Sequence, residues 1–454
     1  MTGGAPPEAA PSDGGGPDRQ RGGVSADLRR AFVNMAAKAG SIVIERVAQL
    51  VLMLGAAPIL GVVSFGRFSF ANSVTALLAF GTDLGLTLWT TRALAREPGQ
   101  SGGVLGTAYH LRLWATVPYF IALAGVALSL GPGEARIAML AIGVVSLARA
   151  LLDHARAVFR ARERIGDEGK VNAIGASLAT IGGLAAVALT RQGLPALALG
   201  MMAGTLASAV YGFALLGRRY GAWTGPFDRA LARRMLREAL PFWLAGIFSL
   251  AYSRGDVVVL RALTGDAEVG AYRAAGQLYD VAKTLPVVVM TAMFPQLARH
   301  FRFARARLRR AEWGVSASLT AAGILTAVVL AIAAGFVARR IFGPGFARTV
   351  PALHILSAAL PLVFLNCGLT HFLVARDLGV LNMVFAGLMV PVNVIANVVL
   401  SRRLGAPGAA WSMLITEAAL SLCCLLALAA ARRQDAEAGQ ESARTPGTPG
   451  PDPR

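Results

Sequence analysis

Apolar residues fill this chain in long blocks, separated by short stretches rich in Gly, Pro and Arg. The blocks are apolar on every side, unlike the one-sided stripe of a surface helix. A run of about 20 such residues is what carries a helix across a bilayer. The pattern predicts twelve spans, at about 39–60, 68–90, 104–130, 137–158, 171–190, 195–216, 241–262, 270–294, 313–338, 350–373, 378–400 and 408–431. The connections are short. The longest, Gly217 to Leu240, contains Asp228 to Arg237, whose spacing predicts a short interfacial helix with basic residues on its polar face.

The pattern repeats. Gly131-Pro132-Gly133-Glu134-Ala135-Arg136 returns 212 residues later as Gly343-Pro344-Gly345-Phe346-Ala347-Arg348. The same offset aligns Arg191, Gly193, Pro195, Ala198 and Met201 with Arg403, Gly405, Pro407, Ala410 and Met413. Earlier in each half, Gly61, Gly66, Phe68 and Ala71 match Gly265, Gly270, Tyr272 and Ala275. All three motifs lie at span boundaries. A duplicated membrane half is a sequence signature of transporters, whose site lies where the copies face each other. Six spans per half is an even number, so both copies enter the membrane in the same direction. Their relating axis then runs along the membrane normal.

The expected fold is an all-α membrane protein of twelve transmembrane helices in two repeated six-helix lobes. Residues 1–35 form a polar tail expected to be disordered. Residues 36–217 form the first lobe, 218–240 a linker helix, 241–432 the second lobe and 433–454 a second disordered tail. The opening segment has no apolar core of the kind a cleaved signal carries.

Composition agrees. Of 454 residues, 55% are hydrophobic and 15% charged, against roughly 25% charged in soluble domains. Alternating strands of barrel length are missing, which excludes a β-barrel. The net charge of +19 would suggest nucleic acid in a soluble protein, but no basic stripe interleaved with aromatics is present, and no nucleic-acid partner is expected. The arginines instead sit between apolar blocks. Connections 2–3, 4–5, 6–7, 8–9 and 10–11 hold twenty Lys and Arg, and the opposite connections nine. Lys and Arg favour the cytoplasmic side, so both termini are predicted to be cytoplasmic.

Catalytic chemistry finds no support. Gly169-Lys170 lacks the rest of a phosphate-binding loop, and no HExxH, CxxC or GxSxG motif stands out. Cys367, Cys423 and Cys424 lie inside apolar blocks without metal-ligand spacing. No enzyme activity, cofactor or metal site is expected.

The informative residues are ionisable groups at membrane depth. Each costs about 2.5–3.5 kcal/mol by insertion scales and so needs a cavity or a partner. The first span of one half carries Glu45 and Arg46, and the first span of the other carries Arg254 and Asp256. Arg273, Gln277, Asp280 and Thr284 form one polar stripe on span 8, with Lys283 beside it and Tyr252, Tyr272 and Tyr279 nearby. Two readings stand. Arg254/Asp256 and Arg273/Asp280 neutralise one another and join helices; or the cluster lines a wet, slightly cationic cavity for an anionic headgroup. In the second reading Arg46, Arg254, Arg273, Lys283, Tyr272 and Gln277 contact substrate, with Arg suited to phosphate by its planar fork. Glu45, Asp83, Asp256, Asp280 and Glu417 are then coupling groups or charge partners. Arg149 and Asp153, four apart on span 4, read as a local ion pair.

Several stretches together resemble a known family. Leu60-Gly61, Phe65-Gly66-Arg67-Phe68 and Asp83-Leu84-Gly85-Leu86 are similar to the opening of the polysaccharide biosynthesis (Wzx-type) oligosaccharide flippases, part of the multidrug/oligosaccharidyl-lipid/polysaccharide (MOP) exporter superfamily. Pro241, Asp256, Gly265, Val269-Gly270-Ala271-Tyr272-Arg273-Ala274-Ala275, Pro286 and Pro295 resemble its second half. Asn397 and Gly405-Ala406-Pro407-Gly408-Ala409-Ala410 resemble its eleventh-to-twelfth span joint. The likeness covers roughly residues 35–432. It implies a MATE/MOP-like fold in the bacterial cytoplasmic membrane. It also implies alternating-access export of an undecaprenyl-diphosphate-linked glycan for surface polysaccharide biosynthesis. Membrane lipids, a glycan polymerase and glycosyltransferases are the further candidate partners. Two other readings remain at this stage: a small-molecule or drug exporter of the same fold, and a membrane glycan polymerase.

Overall fold

The computed structural model describes residues 17–96, 101–221, 224–290, 305–376 and 378–444, and every element in them is helical. In chain order these are α1 (Pro17–Asp83), α2 (Leu86–Arg96), α3 (Ser101–Ser129), α4 (Glu134–Ala161), α5 (Ile165–Thr190), α6 (Leu194–Tyr220), α7 (Arg229–Thr264) and α8 (Asp266–Ala282). After a further helical stretch at 284–290 come α9 (Arg305–Phe336), continued by a π-helical turn over Val337–Phe342, α10 (Thr349–Ala375), α11 (Gly379–Leu404) and α12 (Ala406–Arg444).

Ten of the described helices are long and apolar enough to cross a membrane. The twelve predicted spans map onto them with two differences. The first two share one helical run, Gly40–Arg96, of 57 residues. At 1.5 Å per residue that is about 85 Å, nearly three times a hydrocarbon core of about 30 Å. The run breaks at Gly61, whose φ of 70° and ψ of 169° lie outside the helical region. Predicted span 8 falls on α8, which at 17 residues is slightly short of a full crossing before the chain turns at Lys283. The end of that span, residues 291–294, lies outside the described residues, as do Pro295, Arg299 and Arg302.

Helix α1 begins at Pro17, inside the segment whose composition suggested a disordered tail, and α12 continues to Arg444, inside the second such segment. Residues 1–16 and 445–454 of those tails lie outside the described residues. The predicted interfacial helix at 228–237 is the first part of α7. Asp228 caps it, accepting from the amides of Ala230 and Leu231 at 2.8 and 3.1 Å. The helix then runs on through Pro241 to Thr264.

The repeat is visible in the backbone. Gly61 and Gly265 both break helices, with φ of 70° and 99° and extended ψ. Both Gly-Pro-Gly turns hold their two glycines at positive φ: 72° and 138° in one, 89° and 100° in the other. Gly193 and Gly405 begin α6 and α12 at 62° and 66°. Residues with a Cβ avoid this region, which is why glycine recurs at the same places in both halves.

Helices α1, α4, α5 and α6 pack together, as do α9 to α12 with α7 and α8. Between the two groups, α1 packs on α7 and α8. The α1–α8 crossing is backbone-tight. A Cβ on Gly66 would stand 1.8 Å from the Asp266 carbonyl oxygen, and one on Gly270 would stand 2.0 Å from that of Val62. Beside this crossing, Phe65, Phe68, Phe342 and Phe346 are fully buried. Their rings are stacked in series, with centroids 5.4–6.3 Å apart.

A cationic cavity closed at one end

A cavity of about 650 Å³ lies between α1, α4, α5, α6 and α7. On α4 its wall is the second half, from Ser146 to Arg160; on α5 it is the first half, from Asn172 to Thr180. Both place the cavity towards the end where α4 joins α5 through Arg162 and Arg164. The opposite end is sealed by the Gly66–Gly270 crossing and the phenylalanine stack.

Charged groups reach the cavity from three helices. Arg46 and Glu45 come from α1, Arg149, Arg156, Arg160 and Asp153 from α4, Arg254 from α7, and Asp83 from the end of α1. Several are already paired. Arg156 donates to Asp153 at 2.9 Å, and Arg160 to Glu168 at 3.0 Å. Asp83 accepts from the buried Arg112 at 2.8 Å and from the amide and hydroxyl of Thr87. Among the described residues, no carboxylate lies within ion-pair distance of Arg46, Arg149 or Arg254. Three guanidinium groups therefore face the space with Glu45 as the remaining acid. Arg46 donates to Gln49 at 3.2 Å, and Asn72, Ser146, Asn172, Thr205 and Ser208 complete a polar lining.

The sealed end carries its own ion network. Arg67 on α1 bonds Asp266 at the start of α8 at 3.1 Å and also Glu134 at the start of α4. Asp266 accepts from Arg261 at 2.6 Å, and Ser64 donates to Glu134 at 3.2 Å. This network ties α1, α4, α7 and α8 together where the two groups of helices meet. Glu268 pairs with Arg348 and accepts from the amide of Ala406, holding the start of α12 to α8.

A second polar cluster lies inside the later helices. Tyr272 donates to Asp256, and Arg273 stands 3.6 Å from Asp280, which also takes Lys283 at 3.7 Å. Glu417 accepts from Asn366 at 2.8 Å and Tyr252 at 3.2 Å, and Ser421 donates to Asn366 at 2.7 Å. Arg254 stands between the two clusters, within the electrostatic reach of Arg46, Arg273, Asp256 and Asp280.

Of the residues singled out from sequence, Arg46, Arg254, Glu45 and Asp83 line the cavity. Arg273, Lys283, Tyr272, Gln277, Asp256, Asp280 and Glu417 do not reach its wall. Arg273 and Gln277 are buried, and Asp280 takes both Arg273 and Lys283. The pairing that sequence assigned to Arg149 and Asp153 is corrected. Asp153 takes Arg156, one turn further on, and Arg149 is left facing the cavity. Arg156 and Arg160, counted from sequence as loop residues that mark topology, line the wall. Only their place on the inner face of α4 could have shown it.

The profile of a family described as polysaccharide biosynthesis protein matches residues 32–301. Among curated proteins none matches the chain in sequence. Many solved structures share its fold. The lipid II flippase MurJ in an inward closed conformation has a TM-score of 0.69 at 13% identity, covering 86% of this chain and 87% of that one. A multidrug resistance MATE family transporter of the MOP superfamily, inward-facing, gives 0.72 at 14%, covering 87% and 96%. An outward-facing conformation with the same family description gives 0.57 at 14%, covering 88% and 93%.

Proposed function

The chain belongs to the polysaccharide biosynthesis protein family, a multi-pass helical membrane protein, and on that premise we propose that it flips a lipid-diphosphate-linked oligosaccharide across the bacterial cytoplasmic membrane. The carrying observation is the cavity: Arg46, Arg149 and Arg254 converge from three helices on a membrane-embedded space and have no ion-pair partner among the described residues. Guanidinium groups at that depth without an ion-pair partner are costly, and an anion that moves in and out would offset the cost. A diphosphate matches Arg because the planar fork donates two parallel hydrogen bonds.

In this reading the chain crosses the membrane twelve times, in two six-helix lobes joined by the 218–240 segment, with both termini cytoplasmic. The cavity opens to the cytoplasmic leaflet, where the lipid-linked glycan is made, and the Arg67–Asp266–Glu134 network closes the outer side. Export consists of loading the headgroup among the arginines, breaking the outer network and closing the inner end. The polar glycan needs the wet lining of Gln49, Asn72, Asn172 and Ser208, while the lipid tail stays in the bilayer. Asp256 and Glu417, buried away from the cavity, are the coupling candidates, because protonation or cation binding there would alter packing among α7, α10 and α12. A glycan polymerase and glycosyltransferases act on the same substrate outside and inside.

An organic-cation exporter of the same fold is the second reading, and the MATE likeness favours it at the level of architecture. An excess of arginine repels such a cargo. Cells depleted of the protein separate these readings. The flippase reading expects lipid-linked glycan to build up in the inner leaflet with unchanged sensitivity to cationic dyes. Hypersensitivity to dyes with normal glycan export would reject it.

A further inference from the structure

A second pocket, of about 230 Å³, lies between α2, the start of α3 and the first part of α7, separate from the large cavity. Its wall carries Arg92 and Arg96 from α2 and Arg234 from α7, with Glu238 as the one carboxylate among its lining residues. Glu238 is already engaged: Trp89 Nε1 donates to it at 2.8 Å and Arg234 Nε at 2.9 Å. Arg92 lies over the Phe242 ring at 4.8 Å. Trp89 and Phe242 therefore fix the positions of Glu238 and Arg92, and the pocket keeps a positive excess.

The surroundings say what such a pocket would hold. Leu88 and Phe242 are 40% and 45% exposed, one on each of the same two helices. Phe242 lines the pocket and Leu88 stands next to Trp89 of its wall, so these two continue the pocket into apolar surface, while Arg229, Arg233 and Arg237 lie on the far face of α7. Arginine beside an aromatic, with leucine below, is the layering of a membrane interface. The volume is under the 300 Å³ or so at which pockets begin to take whole drug-sized ligands, but it suits a small phosphate-bearing headgroup. Basic pockets between membrane helices bind anionic headgroups.

We propose that this pocket is a binding site for one anionic phospholipid, its phosphodiester held by Arg92, Arg96 and Arg234 and its acyl chains lying along Phe242 and Leu88. The lipid then bridges α2 and α7, one helix from each half of the sequence, at the end where the large cavity opens. A soluble phosphate lacks the chains and leaves the apolar collar bare.

The test is native mass spectrometry of the full-length protein in detergent with phosphatidylglycerol, phosphatidylcholine or inorganic phosphate. Each arginine beside an anionic headgroup contributes about fivefold in occupancy. Arg92→Gln with Arg96→Gln is therefore expected to lower phosphatidylglycerol retention about 25–30-fold. Arg233→Gln with Arg237→Gln, on the same helix but outside the pocket wall, keeps it. Arg92→Lys with Arg96→Lys retains charge and keeps most of the binding, which separates lost charge from a lost fold. Equal retention of phosphatidylcholine overturns the proposal, as does full retention in the Gln variant. Displacement of the lipid by inorganic phosphate at equal concentration overturns the lipid assignment.

Discussion

Replacing Gly66 by alanine should force the sealed end open. The new Cβ would stand 1.8 Å from the Asp266 carbonyl oxygen and 2.9 Å from the Gly270 amide nitrogen, both backbone atoms that no rotamer change can move. A carbon–oxygen contact needs about 3.3 Å, so α1 and α8 must separate by about 1.5 Å at this point. The crossing is central to the seal, with Arg67 and Asp266 paired beside it and Phe65 packed on Phe346. Overpacking of this kind costs about 1–3 kcal/mol. The cost falls only on the closed arrangement, so it moves the closed-to-open ratio by about 5–150-fold. The assay is a cysteine at Val269, buried in the first turn of α8, in a chain whose Cys367, Cys423 and Cys424 have been replaced. Whole cells are labelled with a maleimide that cannot cross the membrane. Gly66→Ala should raise the labelling rate by that factor. An unchanged rate, with the variant inserted at normal levels, would refute the claim that this crossing seals the outer end.

Other consequences follow from the same geometry. Arg254→Ala and Arg46→Ala should each abolish glycan export while the protein still inserts, and the Lys variants should keep only part of it because an ammonium lacks the two-point fork; full export by the Lys variants would argue against bidentate phosphate contact. Arg149→Ala should weaken export in the same assay, whereas Asp153→Asn, which removes the partner of Arg156, should change it little. Asp83→Asn strips the buried Arg112 of its counter-charge and should cost about 3–5 kcal/mol, read as a fall in melting temperature that Asp83→Glu partly restores. Glu417→Gln keeps an oxygen to accept from Asn366 and puts an amide NH2 where the Tyr252 hydroxyl can rotate to accept from it, so its stability should hold; if Glu417 couples transport to an ion, the dependence of export on that ion's gradient disappears.

The sequence exposed those parts of the architecture that local chemistry imposes. Gly61, Gly131, Gly193 and their counterparts Gly265, Gly343 and Gly405 could be matched because each occupies a backbone region that side chains avoid. Arg46 and Arg254 could be singled out because a guanidinium in an apolar block has few explanations. What stayed hidden depends on distance along the chain. Arg67 and Asp266 are 199 residues apart and Arg67 and Glu134 are 67 apart, and nothing in local spacing joins them. Arg149 departs from its local pattern for the opposite reason. A carboxylate four residues on looked sufficient, but Arg156 at i+3 from Asp153 competes for it and wins. The break at Gly61 falls directly after the first predicted span, although the apolar run itself continues through it.

In the proposed cycle the cavity arginines carry a diphosphate-linked glycan across the bilayer. Its most direct test is translocation of a fluorescent undecaprenyl-diphosphate oligosaccharide in proteoliposomes, followed by quenching from the outside. Wild-type protein should move the lipid between leaflets, and the Arg46→Ala, Arg149→Ala, Arg254→Ala triple variant, reconstituted to the same density, should not. Equal rates for the two proteins, or no movement above empty liposomes for the wild type, would rule out transport by these arginines.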